Sequence, residues 1–120
     1  MTIKAIKIEP GEAAKKILLD TSLESLQKTV DGYIEITYPF DDNVCIVGNE
    51  EAKLVGKKGT IRINGSIYAG TLLLIGLNSE DDFADLTEEQ LAKYLTQFSV
   101  PEDISAEEAA EDVGFAIFSW

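Results

Sequence analysis

The stretch TIRINGSIYAGTLLLIGL (residues 60–77) decides the fold class. Its two short arms, TIRI and SIYA, flank Asn64-Gly65, a pair that accepts the positive φ angles of a two-residue type I′ turn. Residues 60–70 therefore predict a β-hairpin. TLLLIGL (71–77) is apolar at successive positions, as a strand buried on both faces must be. A hairpin feeding a buried strand makes this half of the chain a sheet.

Upstream, TIKAIKIE (2–9) predicts a first strand. Pro10-Gly11 suits the centre of a type II turn, which returns KKILLD (15–20) antiparallel. TSLESLQKTVDG (21–32) predicts a short helix capped by Thr21 or Ser22, with Leu23, Leu26 and Val30 on one face and Gly32 as the stop. YIEITYPF (33–40) predicts a strand that Pro39 ends or places at a sheet edge. NVCIVG (43–48) is apolar on both faces and predicts an interior strand with Cys45 buried as a small hydrophobe. NEEAKLVGKKG (49–59) reads as a hairpin or short loop.

Downstream the pattern changes. SEDDFAD (79–85) reads as a polar loop, and LTEEQLAKYLTQF (86–98) as a helix. Thr87 and Gln90 have the spacing of a capping box, Leu86 is placed to staple onto Leu91, and Leu91, Tyr94, Leu95 and Phe98 form its apolar stripe. SAEEAAED (105–112) predicts a second capped helix, and VGFAIFSW (113–120) a terminal strand with Phe115 and Ile117 on one face and Phe118 and Trp120 on the other. Strands first and helices later predict a single α+β domain over residues 1–120. It should carry a mostly antiparallel sheet of about five to seven strands with two or three short helices.

Charge is distributed unevenly. The chain has 120 residues, 45% of them hydrophobic, and a net charge of −12. Residues 1–79 hold ten acids and nine bases, whereas residues 80–120 hold twelve acids and one base, Lys93. Concentrated negative charge disfavours direct contact with nucleic acid or an anionic membrane, and favours a basic partner, a cation or mere solubility. No charged n-region followed by an apolar run opens the chain, and no apolar run approaches the length of a bilayer span. A soluble cytoplasmic protein is the expectation.

Chemistry is sparse. The chain has no histidine, which removes Ser-His and Cys-His arrangements, and its lone cysteine cannot form an internal disulfide. Asp41-Asp42, with Tyr38 nearby, is the best candidate for carboxylate chemistry, yet adjacent acids in one loop seldom provide the two unlike environments that such chemistry needs. GKKGT (56–60) lacks the spacing of a phosphate loop. Asn78, Glu80, Asp82 and Glu89 fall at calcium-loop positions, but Phe83 stands where the sharp turn requires glycine. No metal or cofactor is expected.

The acids themselves are the more informative pattern. On a helix of about 100° per residue, Glu107, Glu108, Glu111 and Asp112 share an arc of about 140° opposite Ala106, Ala109, Ala110 and Val113. Glu107/Glu111 and Glu108/Asp112 are repulsive pairs four residues apart, and the last two acids oppose the helix dipole. With Glu80, Asp81, Asp82 and Asp85 they make eight candidate partner-binding residues.

The segments IKIEPG (6–11), GYIEITYPFDDNV (32–44), NEEAKLVG (49–56), IYAGTLLLIG (67–76) and EDDFADLTEEQLAKY (80–94) together resemble a family of short acidic proteins of unknown function. Phages, plasmids and integrative elements, mainly of Gram-positive bacteria, encode them. The resemblance covers residues 3–98 and supplies no catalytic residues. It implies a mobile-element accessory protein acting in the bacterial cytoplasm. The resulting expectation is a non-enzymatic inhibitor of a basic nucleic-acid-handling defence protein, a CRISPR effector or restriction enzyme. Two alternatives are a small enzyme or ligand-binding module using Asp41, Asp42 and Tyr38, and a regulatory module that forms a homodimer through the terminal strand.

Overall fold

The computed structural model describes the backbone of residues 1–118 and the side chains of residues 1–112. In chain order the elements are β1 (Thr2–Ile8), β2 (Lys15–Asp20), α1 (Leu23–Val30), β3 (Ile34–Thr37), β4 (Val44–Asn49), β5 (Gly59–Ile63), β6 (Ser66–Ala69), β7 (Leu72–Leu77), β8 (Phe83–Ala84), α2 (Glu88–Gln97) and α3 (Ala106–Phe118). The fold is α+β, with every strand pair antiparallel and three short helices.

The main sheet runs β2-β1-β7-β4-β3, with the two-residue β8 added to β7. NVCIVG and TLLLIGL are its interior strands, as their two-sided apolar character requires. On one face α1 covers Ile3, Ala5, Leu19, Cys45, Val47, Leu73 and Ile75 with Leu26 and Val30. On the other, α2 and the β5–β6 hairpin together cover Ile6, Ile8, Val44, Ile46, Leu72 and Leu74. The hairpin is a separate two-stranded sheet. Its inner face carries Ile61, Ile63 and Tyr68, and its outer face carries Arg62, Ile67 and Ala69, against which α3 packs through Ala109.

The local signals act as expected in most places. Glu12 N–H donates to the Glu9 carbonyl at 3.0 Å across Pro10-Gly11, with Gly11 at φ 77°, a type II turn. Asn64 and Gly65 have φ 52° and 84°, as a type I′ turn requires. Thr87 and Gln90 close a reciprocal capping box at 3.0 Å each way.

Two local expectations are corrected. Helix α1 ends on Asp31, which takes the left-handed conformation at φ 60°, not on Gly32. Gly32 answers a different need: a Cβ there would meet the Asn49 amide nitrogen at 2.6 Å. That amide donates to the Asp31 carbonyl at 2.9 Å and so closes the helix end. The second correction concerns VGFAIFSW. Residues 113–118 continue α3 as helix and do not form a strand. A short run apolar on both faces has no period of its own, so it follows the Ala-rich helix that precedes it. The expected faces of Phe115, Ile117, Phe118 and Trp120 lie outside the described side chains, and with them the basis for a strand-mediated dimer.

Candidate functional site

The end of the main sheet where β7 stops and β4 starts collects most of the acidic loops. Leu77 N–H donates to the Asn43 carbonyl at 2.9 Å, which joins the 38–43 loop to the 78–82 loop. Asn78 organises the latter: its side-chain oxygen accepts from the backbone N–H groups of Glu80 at 2.8 Å and Asp82 at 3.0 Å. Asp81 sits at φ 62° and its N–H donates to the Asn78 carbonyl. The chain then returns as β8 along Gly76 and Leu77. A Cβ on Gly76 would lie 2.6 Å from the Asp85 carbonyl oxygen, so glycine is required for that close approach.

Asp85 has a structural task. Where β7 no longer flanks β1, the Asp85 carboxylate accepts the Lys4 N–H at 2.7 Å and Leu86 N–H donates to the Lys4 carbonyl at 2.9 Å. These two bonds satisfy backbone groups that the ladder leaves open. Glu80, Asp81 and Asp82 differ: all three are exposed and have no ion-pair partner among the described residues. Asp41 and Glu89 border the same end, around a shallow hollow that also touches Asp42, Thr87, Gln90 and Lys93.

Asp42 is the keystone of this end. Its carboxylate accepts from the Tyr94 hydroxyl at 2.8 Å, the Gln90 amide at 3.1 Å and the Asn43 N–H at 2.7 Å, with the Lys93 ammonium at 3.9 Å. Burial alone would raise its pKa, but the Tyr94 and Gln90 hydrogen bonds, the Asn43 N–H and Lys93 together hold it below the ordinary value. The same contact, added to burial, drives the Tyr94 phenol far above its usual range. A carboxyl held low is a poor proton donor at neutral pH. Tyr38 is exposed and does not line the hollow. Asp41, Asp42 and Tyr38 are thus not assembled as one site.

The α3 acids sit elsewhere. Glu108 N–H donates to the Ser105 hydroxyl at 3.1 Å, which caps the helix. The Glu108 carboxylate meets the Arg62 guanidinium at 2.7 Å, and Glu102 takes the other side of that guanidinium at 3.1 Å. Asp112 pairs with Lys53. Glu107 and Glu111 are exposed, without ion-pair partners among the described residues. Ala109 packs on Ala52 and Ala69, beyond the far end of β4 from Asn43. A six-residue strand is about 20 Å long, so the two acidic patches occupy opposite ends of the sheet and do not merge. Of the eight predicted residues, Glu80, Asp81 and Asp82 stay together and unengaged, Asp85 ties strands, Glu108 and Asp112 neutralise cations, and Glu107 and Glu111 stand apart on α3.

A cleft of about 330 Å³ opens between the β3–β4 edge of the main sheet and the free edge of β6. Nothing in the sequence announces it, because its walls come from four separate segments. Its lining includes Thr37, whose hydroxyl is a buried side-chain oxygen without a hydrogen-bond partner among the described residues. Such a group costs about 1–3 kcal/mol. Cys45 lies on the opposite face of the sheet, fully buried, its thiol pushed up to about 11 by burial. Among the described residues, no cluster of three or more His, Cys, Asp or Glu side chains is arranged to hold a metal ion, and no helix is long and apolar enough to cross a membrane.

The family model described as Domain of unknown function (DUF3846) matches residues 3–99, which takes in β1 through α2 and leaves α3 outside. No curated protein and no solved structure matches the chain. The matched span is well over half of the sequence, and the chain belongs to the DUF3846 family.

Proposed function

We propose that this chain is a non-enzymatic binding protein of a mobile genetic element whose acidic sheet end occupies the nucleic-acid groove of a basic defence protein, a CRISPR effector or a restriction enzyme. The observation that supports the reading is the exposed Glu80-Asp81-Asp82 turn, held by Asn78 at the sheet end where Leu77 meets Asn43, with no basic residue paired to it among the described residues. Duplex DNA presents about one negative charge per 1.7 Å of axis, and a cluster of exposed carboxylates competes for the same lysines and arginines. Long-range attraction also speeds encounter between oppositely charged partners. The reading narrows the contact set to Glu80, Asp81 and Asp82 with Asp41 and Glu89. Glu107 and Glu111 belong to a separate surface.

The test is competition. A purified CRISPR effector or restriction enzyme is titrated onto labelled DNA at low and at high salt, with the protein or its triple variant Glu80→Gln, Asp81→Asn, Asp82→Asn added. The wild-type chain should displace DNA more strongly at low salt, and the triple variant should lose most of that effect. Displacement that the triple variant retains in full at every salt concentration would remove electrostatic competition as the mechanism.

A further inference from the structure

We infer that the cleft between β3–β4 and β6 is a binding site for a small organic amine in its ammonium form, independent of the acidic sheet end. Its shape follows from the register. Thr37 faces Ile46 and Glu35 faces Gly48 across the β3–β4 ladder, so all four lie on the sheet face covered by the hairpin. Among the described residues the hairpin stops short of β3, and Gly48 has no side chain to fill the space left over. What results is an apolar floor of Ile46 and Leu72 with Tyr68 on the facing wall.

Polar groups occur where an apolar core face would not place them. β3 is the edge strand, and its residues on this face are Glu35 and Thr37. The Thr37 hydroxyl is buried without a partner among the described residues. Glu35 and Glu50 line the mouth and have no ion-pair partner among the described residues. Lys53, the one cation in the lining, is already neutralised by Asp112. The uncompensated charge facing the cleft is therefore negative. An apolar slot with a few convergent polar groups, of about 300 Å³ or slightly more, is the size of a small-ligand pocket. An ammonium head at a carboxylate of the mouth with an apolar body beside the aromatic wall matches these groups.

Amide NMR on the full chain tests the inference with phenethylamine as the cation and 3-phenylpropanoate as its anionic counterpart. Phenethylamine should give saturable shifts at Glu35, Gly48 and Tyr68, and 3-phenylpropanoate should not. Glu35→Gln should weaken the amine by about tenfold, the worth of one charge-assisted hydrogen bond. Gly48→Val should abolish binding by filling the floor; a Cβ at this position meets only Leu72 Cδ2, at 3.1 Å. Equal shifts from both probes, no saturable shift at the cleft, or unchanged amine affinity in Glu35→Gln would overturn the assignment. The Glu35→Gln arm decides the matter even if Gly48→Val does not fold.

Discussion

Glu80, Asp81 and Asp82 stand on a turn at one end of the sheet with no cation paired to them among the described residues, whereas Glu108 and Asp112 close on Arg62 and Lys53 across the hairpin. Both segments come from the same acid-rich third of the chain, and on composition they look alike. The fold treats them differently because of what each is packed on. The turn is anchored by its own backbone and by Asn78, so its carboxylates are left over. Among the described residues helix α3 packs on the hairpin through Ala109, and its ion pairs with Arg62 and Lys53 supply part of what holds it there. An acidic segment can therefore be a surface in one place and a fastener in another.

The two regions should part most severely at Gly76. A Gly76→Val side chain would collide with the backbone of Ala84 and Asp85, pushing β8 and the acidic turn off the sheet. A loss of about 3 kcal/mol in urea unfolding is expected, the upper part of the range for overpacking. Amide exchange should rise in residues 78–86 while residues 106–112 stay protected. Equal loss of protection in both regions would mean that the two ends are not separate units.

Asp42 gives the next largest effect and ties it to pH. Asp42→Ala leaves the Tyr94 hydroxyl buried without its acceptor, which costs about 2 kcal/mol near neutral pH. The sign follows from the depressed pKa. The carboxylate contributes fully above its unfolded value, near 3.8, and its contribution fades as pH falls through the lower folded value. Wild type should thus lose stability on acidification below about pH 4, and the gap between wild type and Asp42→Ala should shrink over the same window. A gap that stays constant down to pH 2 would show that the Asp42 contacts carry no differential protonation.

Much of this architecture was legible because its signals are local. Asn64-Gly65, Pro10-Gly11 and the Thr87/Gln90 box act within four residues of themselves, and TLLLIGL is apolar wherever it is placed. The illegible parts are relations between distant segments. The grouping of Asp41 and Glu89 with Glu80 depends on Leu77 meeting Asn43. The pairing of Asp112 with Lys53 spans 59 residues. The sharp division of charge at residue 80 leaves open whether the acids share one surface, and the fold carries the later ones back to earlier bases. Charge order along a chain constrains charge position in space only where the topology keeps the order. The cleft is hidden for the same reason: Glu35 and Thr37 look like the solvent side of an edge strand until the hairpin is placed beside them. In VGFAIFSW the failure was one of period, since a run without alternation cannot choose between strand and helix.

The smallest effects make the sharpest contrast between the two acidic regions. Glu108→Gln with Asp112→Asn removes two part-exposed ion pairs, and about 1 kcal/mol or less should be lost. That loss should be concentrated as faster amide exchange in residues 106–112, since both pairs tie this part of α3 to its neighbours. Glu80→Gln, Asp81→Asn and Asp82→Asn remove the same kind of charge from the turn. None of the three side chains makes an internal bond among the described residues, so stability should move by no more than about 0.5 kcal/mol, and upward as like charges are relieved. Raising the salt concentration should shrink the α3 loss, because screening weakens the pairs before they are deleted. The turn variants would show the opposite salt response, since screening already relieves in wild type what the substitutions relieve. If both sets destabilise equally, the turn carboxylates are structural after all, and they are no longer free to meet a partner.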